Sequence, residues 1–354
     1  MNTKSNGYIL ILTLMILSIL IIVVTNIFYT GTAHNVFSKT IIDREKAKML
    51  ALSGVQLAIS KLTLPEEKKS QEEQSQEAQK KNVEDKKTKN NIRFLSRILP
   101  ILNSWIVINL KSDNEEIDGQ VKICICCEDG KININKIFDY SKKRFINDGI
   151  LKDFIKILDE INKKIRSITS QDLLKPLEQF LIKRKFPLND VTELLLIPQF
   201  SYFKNYVFYE PPIKGERLEK RPIYLTDIFT TWTDNIQLQP WLLSDSVAAI
   251  LGLKRIYPDE IEKRKNKIEQ WIKNFKSNSD WVKDWDKIMK PLYEKELLSM
   301  PKGIEILFNS EFDPNIFSVV SYGTVGEITQ KVFAILRKNK SDEATFEVIK
   351  LYSI

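Results

Sequence analysis

From Tyr8 to Phe28 the chain runs YILILTLMILSILIIVVTNIF, with no Asp, Glu, Lys or Arg in the block. A helix needs about 20 mostly apolar residues, at ~1.5 Å rise each, to cross a hydrocarbon core ~30 Å thick. This block supplies them, so any fold proposed for the remainder must accommodate a membrane-spanning helix at its start. The seven residues before it, MNTKSNG, are polar and contain one lysine, Lys4.

Three readings fit such a start, and each leaves a different mature chain. A cleaved secretory signal would end at the small residues Gly31, Thr32 and Ala33, before His34. Its apolar region would then exceed the usual ~7 to 15 residues. A plain signal anchor would keep the whole segment, with Lys4 and the amino terminus inside. A short leader cut after Gly7 on the cytoplasmic side would make Tyr8 the terminus of a retained membrane helix. Only this last reading explains a leader that is short, polar and ends in glycine.

Past the membrane block, NVFSKTIIDREKAKMLALSGVQLAISKL spans Asn35 to Leu62. Ala47, Ala51, Gly54 or Val55, Ala58 and Leu62 recur at three- and four-residue steps, which places them on one helix face. Small residues there permit close approach. The face is expected to pack on the chain's own globular part, and it is also suited to neighbouring helices in a filament. Asp43, Arg44, Glu45, Lys46 and Lys48 form the solvated side.

The tract PEEKKSQEEQSQEAQKKNVEDKKTKNN, Pro65 to Asn91, has almost no apolar residue. It cannot bury enough surface to offset the entropy of ordering, so disorder or a lone solvated helix is expected. SWIVINL (Ser104 to Leu110) and QVKICIC (Gln120 to Cys126) are rich in β-branched residues around a turn-like SDNEEIDG, which predicts a hairpin. After it come a turn at Asp129 and Gly130 and an alternating KININ, which reads as a third edge or the start of a loop. Helical patterns follow at Asp148 to Ile168, Gln171 to Arg184, Pro258 to Phe275 and Asp280 to Leu298. In the last two, Trp271, Trp281 and Trp285 read as packing anchors. Near the end, IEILFN, IFSVVSYG, QKVFAILRK and ATFEVIKLYSI return to strand alternation. If these strands and the first hairpin share a sheet, the helices between them are an insertion.

The three cysteines, Cys124, Cys126 and Cys127, crowd onto one expected strand. Residues two apart share a face, so Cys124 and Cys126 should lie together with Cys127 opposite. Bridging neighbours in an extended strand strains disulfide geometry. Buried apolar thiols are therefore the favoured reading, with an intermolecular disulfide in an oxidising compartment left open.

Composition narrows the function classes. Lys plus Arg exceed Asp plus Glu by 54 to 46, a net +8 over 354 residues. The basic residues form no stripe interleaved with aromatics, so nucleic acid is not the expected partner. His34 is the one histidine and sits at the membrane junction, which leaves no Ser-His-Asp or Cys-His nucleophile of the usual kind. No phosphate loop, HExxH or EF-hand spacing occurs. Asp284 and Asp286 lie among lysines and read as a surface face. The chain is not expected to be an enzyme.

The stalk carries a family resemblance. Asn35, Arg44, Ala47, Leu50, Ala51, Gly54, Val55, Ala58 and Leu62 match the N…R…A…LA…GV…A…L run of type IV pilin-like proteins. Asp129, Gly130, Lys131, Asn133 and Asn135, in DGKININ, resemble the signature of one branch, the general secretion pathway protein K family of minor pseudopilins in type II secretion systems. Leu12 agrees with it: fifth from Tyr8, it stands where most pilins carry a glutamate and this branch does not. Asp190, Glu193, Leu194, Leu195 and Pro198 resemble a further family turn. Gln237 and Gln239 depart from the asparagines of a second family strand.

The resemblance implies an α+β fold, with an N-terminal transmembrane helix and stalk and a pilin-like antiparallel β-sheet domain interrupted by a large α-helical domain. The implied parts are a leader (1–7), membrane and stalk helix (8–62), a charged insertion (63–92), the first part of the β domain (93–138), the helical domain (139–300) and the second part of the β domain (301–354). It implies a subunit held in the inner membrane by one span, amino terminus cytoplasmic and bulk periplasmic, processed by a prepilin peptidase at Gly7 and Tyr8. Its partners would be the minor pseudopilins I and J and the major pseudopilin. In this class the glutamate neutralises a neighbour's terminal amine, and a buried unpaired ammonium is costly. With Leu12 in its place the subunit suits the filament tip, where nothing joins above it. The helical domain is of a kind that holds calcium, with ligands the sequence does not map. A pilus or competence subunit engaged in DNA uptake, or a plain anchored α+β protein, is the alternative.

Overall fold

The computed structural model describes residues 5–63, 79–111, 118–146, 157, 161, 173–211, 222–253, 285–300, 307–309, 312–339 and 345–354. One helix, α1, runs unbroken from Ser5 to Leu62. At ~1.5 Å per residue it is roughly 85 Å long, far more than a membrane needs. From Leu10 to Tyr29 it is predominantly apolar and exposed. Its last third docks on a five-stranded antiparallel sheet.

β1 (Trp105–Leu110) and β2 (Gly119–Cys127) form the expected hairpin, with Trp105 opposite Cys124 and Leu110 opposite Gly119. β2 then pairs with β7 (Ile316–Val325), which comes almost two hundred residues later. β8 (Ile328–Lys338) and β9 (Phe346–Ser353) complete the sheet. β7 and β8 meet through a two-residue loop whose first residue, Gly326, has φ +57°, the left-handed value such a turn asks of a glycine. The sheet is thus interrupted between its second and third strands, and the α+β class follows: a long apolar helix, an antiparallel sheet, and further helices in the interruption.

KININ does not extend this sheet. β3 (Ile132–Asn133) pairs in parallel with β6 (Phe229–Thr230), and the chain turns at once into a short helix, Ile134–Ile137, capped by the Asn133 side chain. Leu307 to Asn309, the described part of IEILFN, also stay outside it. Phe308 bridges to Leu238 and stacks on Trp285 at 5.3 Å, which holds the segment against the helices. Trp285 is buried and is a packing anchor, while Trp271, Trp281 and the Pro258 to Phe275 helix lie outside the described residues. Of Asp148 to Ile168 the structure describes only Ile157 and Ile161, both helical and buried. The pattern from Gln171 to Arg184 contains the helix Leu174–Lys183, which buries Leu177 and Leu181.

The polar tract differs from its expectation in one respect. Helix α2 (Gln79–Ile98) begins inside it and runs past it, and residues 64–78 lie outside the described residues. Phe94, Leu95 and Ile98 are buried, and the Arg97 guanidinium donates to the Ser60 carbonyl at 2.8 Å. A docked C-terminal turn supplies the nucleus that a polar segment of this composition lacks on its own. Phe94 also joins Phe317 and Phe346 in a ring cluster with centroids 5.5 to 6.3 Å apart.

Candidate functional site: a two-part helix and the polar root of the insertion

The N-terminal half of α1 carries five serine and threonine hydroxyls that are satisfied within the helix. Ser18, Thr25 and Thr30 donate to the carbonyls of Leu14, Ile21 and Asn26 at 2.7 to 2.8 Å; Thr13 reaches Leu10 at 2.9 Å and Thr32 reaches Phe28 at 3.0 Å. A lipid-facing surface requires this, because hydrocarbon offers no partner to a polar group. Tyr8 is 71% and Leu12 47% exposed, so both lie on the open surface of this segment, just beyond Gly7 in the first turns.

Lower down, the small-residue stripe meets the sheet. Ala47, Ala51, Ala58 and Leu62 are fully buried, Val55 nearly so, and Gly54 sits at the closest approach. A Cβ on Gly54 would come within 2.1 Å of Ser321 Oγ. From the sheet side, a Cβ on Gly323 would lie 2.1 Å from the Ala47 carbonyl oxygen and 2.5 Å from the Ala51 nitrogen. Two glycines, one from each layer, let helix backbone and strand backbone touch. The stripe is therefore occupied by the chain's own sheet.

DGKININ forms the root of the insertion. It follows β2 through a tight turn, Glu128–Gly130, with Asp129, Lys131 and Asn133 buried and Asn135 half-buried. Asp129 Oδ2 accepts from the amides of Asn315 at 2.9 Å and Ile316 at 3.2 Å, the residues at which the chain re-enters the sheet. Its backbone carbonyl accepts from the Gln239 amide at 2.7 Å. Gly130 lies so close to the Leu242 carbonyl that a Cβ would sit 1.9 Å from its oxygen. Lys131 Nζ donates to Glu128 Oε1 and, at 3.0 Å, to Ser318 Oγ, while Thr230 Oγ1 donates to Glu128 Oε2 at 2.5 Å. Burial works against the Lys131 ammonium, but the charge and hydrogen bond of Glu128, together with the other acidic groups around it, Asp227 among them, outweigh burial and hold the pKa above its usual value. It stays charged, as a buried lysine with a carboxylate partner must.

Asn133 Nδ2 donates to the Thr233 carbonyl at 2.6 Å and to Thr233 Oγ1 at 3.0 Å. Asn135 reads both backbone groups of Leu188: Nδ2 donates to its carbonyl and Oδ1 accepts from its amide, each at 2.8 Å. The Tyr140 hydroxyl donates to the same Oδ1 at 2.9 Å. All five motif residues thus point into one buried junction that joins the sheet to segments 53 to 187 residues away. The arrangement is a set of clamps between segments distant in sequence.

The sequence did not single out Glu128, Thr230, Thr233, Asp227 or Ser318, which complete this junction. Asp227 is buried, its Oδ2 accepts from the Ser246 amide at 2.7 Å, and its carbonyl accepts from Ser244 Oγ. Only the proximity of Glu128 to the DGKININ turn could have drawn attention to one of these residues. Gln239, which departs from the family asparagine, is fully buried beside Asp129. The other family turn forms a capping box: Asp190 Oδ1 accepts from the Thr192 amide at 2.8 Å, and Glu193 Oε1 from the Asp190 amide at 3.2 Å.

The cysteines divide as strand alternation requires. Cys124 and Cys126 share a face with their sulfurs 3.9 Å apart, under Tyr209 and Tyr224, while Cys127 joins the main core. All three are free and buried. Burial pushes the Cys124 and Cys127 thiols well above their ordinary pKa, so both are held as inert thiols. Gly252, with φ +65°, closes a helix: its amide and that of Leu253 return to Ala249 and Ala248. These amides are used by the helix end, where a phosphate-binding hairpin would present them outward. Among the described residues, no group of three or more His, Cys, Asp or Glu is placed to hold a metal ion.

No family model and no curated protein matches this chain. A solved structure does: the GspK-GspI-GspJ complex of the enterotoxigenic Escherichia coli type 2 secretion system, over 92% of this chain and 99% of that one, at 10% identity and a TM-score of 0.39.

Proposed function

We propose that the chain is a minor pseudopilin-like subunit of a type II secretion system, working by assembly and not by catalysis. The observation that carries this reading is α1 itself. One unbroken helix is apolar and exposed over a membrane-spanning length, then fused by a small-residue face to an antiparallel sheet. Such a helix transmits the position of its membrane half rigidly to the ectodomain. Leu12 gives it no carboxylate for a neighbour's terminal amine, which suits the filament tip, and the insertion beyond DGKININ adds bulk there. On this reading the leader 1–7 is removed by a prepilin peptidase between Gly7 and Tyr8. The helix lies in the inner membrane with the ectodomain in the periplasm, and minor pseudopilins I and J and the major pseudopilin are its partners. The helical domain at 139–300, with calcium as its candidate ion, is part of the same proposal.

Mass spectrometry of the N-terminal peptide, from full-length protein made with and without a prepilin peptidase, tests it. A peptidase-dependent start at Tyr8 is expected. Met1 retained in both samples would leave a plain signal anchor, and a start at His34 would make the chain a secreted protein; either overturns the assembly role.

A further inference from the structure

Lys183, Arg184, Lys185 and Phe186 follow one another where the helix Leu174–Lys183 ends, and Phe186 is left 74% exposed. A second basic run, Lys142, Lys143 and Arg144, lies at the tip of a small hairpin made by β4 (Phe138–Asp139) and β5 (Arg144–Phe145), with all three side chains exposed. The fold brings the two runs together. Asn135 holds both backbone groups of Leu188, the Tyr140 hydroxyl at the base of the hairpin donates to the same Asn135, and Arg184 is close enough to Tyr140 to act on it electrostatically. Ile146, directly after β5, is 38% exposed, so each segment sets an apolar side chain among its cations.

The carboxylates of this region are fewer and already engaged. Asp139 accepts from the Ser141 and Lys142 amides that shape the hairpin turn, Asp190 accepts from the Thr192 amide and the Tyr352 hydroxyl, and Glu193 pairs with Arg184 at 2.6 Å. Three carboxylates against six cations leave the surface positive. Its height above the apolar block follows from the sheet register. Gly54 of α1 packs on Ser321, Ser321 faces Val332, and the next residue of β8, Phe333, faces Tyr352, whose hydroxyl meets Asp190. From Phe28 to Gly54 the helix rises about 40 Å at ~1.5 Å per residue. A bilayer around Tyr8 to Phe28 does not reach that far.

We propose that the hairpin tip and the turn from Lys183 to Phe186 form a docking surface for an acidic polypeptide with an apolar site for Phe186. Charge complementarity sets the sign of the partner and steers its approach. An exposed aromatic ring among cations is the kind of side chain that anchors a protein interface. The height along α1 favours a protein over the lipid of the chain's own membrane. From the assembly reading the inference takes only the membrane span of α1, and it is independent of which filament, if any, the chain joins.

The test uses the full chain in phosphatidylcholine nanodiscs and a fluorescein-labelled peptide of Glu, Asp and Leu, followed by anisotropy, with a peptide of Gln, Asn and Leu as its neutral counterpart. The acidic peptide should bind, more weakly as salt screens the exposed charges, and the neutral one should bind about tenfold less tightly. Lys142→Glu with Lys143→Glu should cost about tenfold in affinity, and Phe186→Ser should weaken binding without changing its salt dependence. Lys46→Glu with Lys48→Glu, exposed on α1, reverses the same charge elsewhere and should bind as the wild type does. An equal loss in that control, or no loss in the hairpin variant, would overturn the surface. Phosphatidylglycerol vesicles captured in place of the peptide, and lost in the hairpin variant, would assign the surface to a membrane and overturn the protein partner. Should a variant fail to fold, the wild type decides alone: a preference for the acidic peptide supports the proposal, and equal binding of the two peptides overturns it.

Discussion

Two interfaces hold this molecule together, and they are built from opposite materials. The seam between α1 and the sheet is dry and small: Ala47, Ala51, Gly54 and Ala58 against β7, with Gly323 opposite. The root of the insertion is polar and charged: Glu128, Asp129, Lys131, Asn133 and Asn135, all buried or half-buried, each aimed at a partner distant in sequence. The seam is held by shape, so its tolerance is set by volume. The root is held by complementary donors and acceptors, so its tolerance is set by whether each one keeps its partner.

The largest effect should come from adding volume to the seam. Gly323→Leu puts a side chain where the Ala47 and Ala51 backbones already lie within 2.1 to 2.5 Å, and neither can retreat without lifting the helix. A loss of more than about 3 kcal/mol, or failure to fold, is expected in urea melts of the micelle-bound protein. An unchanged midpoint would mean the helix is not fused to the sheet at this point. Next in size is Lys131→Met, which leaves Glu128 charged and buried with only a hydroxyl donor, Thr230, beside it. Breaking such a pair costs roughly 3 to 5 kcal/mol. The double variant Glu128→Gln with Lys131→Met should recover much of that loss, because the stranded charge is gone. A double variant no better than Lys131→Met would show that the root depends on packing, as the seam does.

The same contrast explains what the sequence disclosed. A stripe of small residues at helical spacing is a periodic signal, and the seam could be placed from it residue by residue. The first hairpin and the three C-terminal strands were equally legible, because they are runs rich in β-branched and apolar residues set off by turn residues. The root has no period. Nothing local indicates that Asn133 reaches Thr233 or that Asn135 reaches Leu188, since Leu188 is met through backbone groups alone and Thr233 partly so, and every residue has those. DGKININ stood out by resemblance, which made it the exit from the sheet into the insertion, and the partners of its side chains needed the fold. The alternation of KININ left a third edge and the start of a loop both open; two of its residues pair with Phe229 and Thr230, outside the main sheet. Leu307 to Asn309, the described part of IEILFN, lie outside the main sheet, with Phe308 stacked on Trp285 beside the helices.

The smallest of the expected effects tests the root's logic most directly. Asn135 is the one motif residue whose side chain acts as a strand would, giving Leu188 both a donor and an acceptor at 2.8 Å. Asn135→Ala leaves that amide and carbonyl, together with the Tyr140 hydroxyl, without their partner. Because the site is only half-buried, water can replace some of what is lost, and the expected cost is about 1 to 3 kcal/mol in the urea midpoint. Asn135→Asp is the sharper variant. It keeps the acceptor for the Leu188 amide and the tyrosine but turns the donor into a second acceptor facing a carbonyl. If the root is held by paired donors and acceptors, aspartate should be no better than alanine, although it preserves size and shape. If aspartate restores the wild-type midpoint, shape alone suffices at Asn135, and the distinction between the two interfaces fails there.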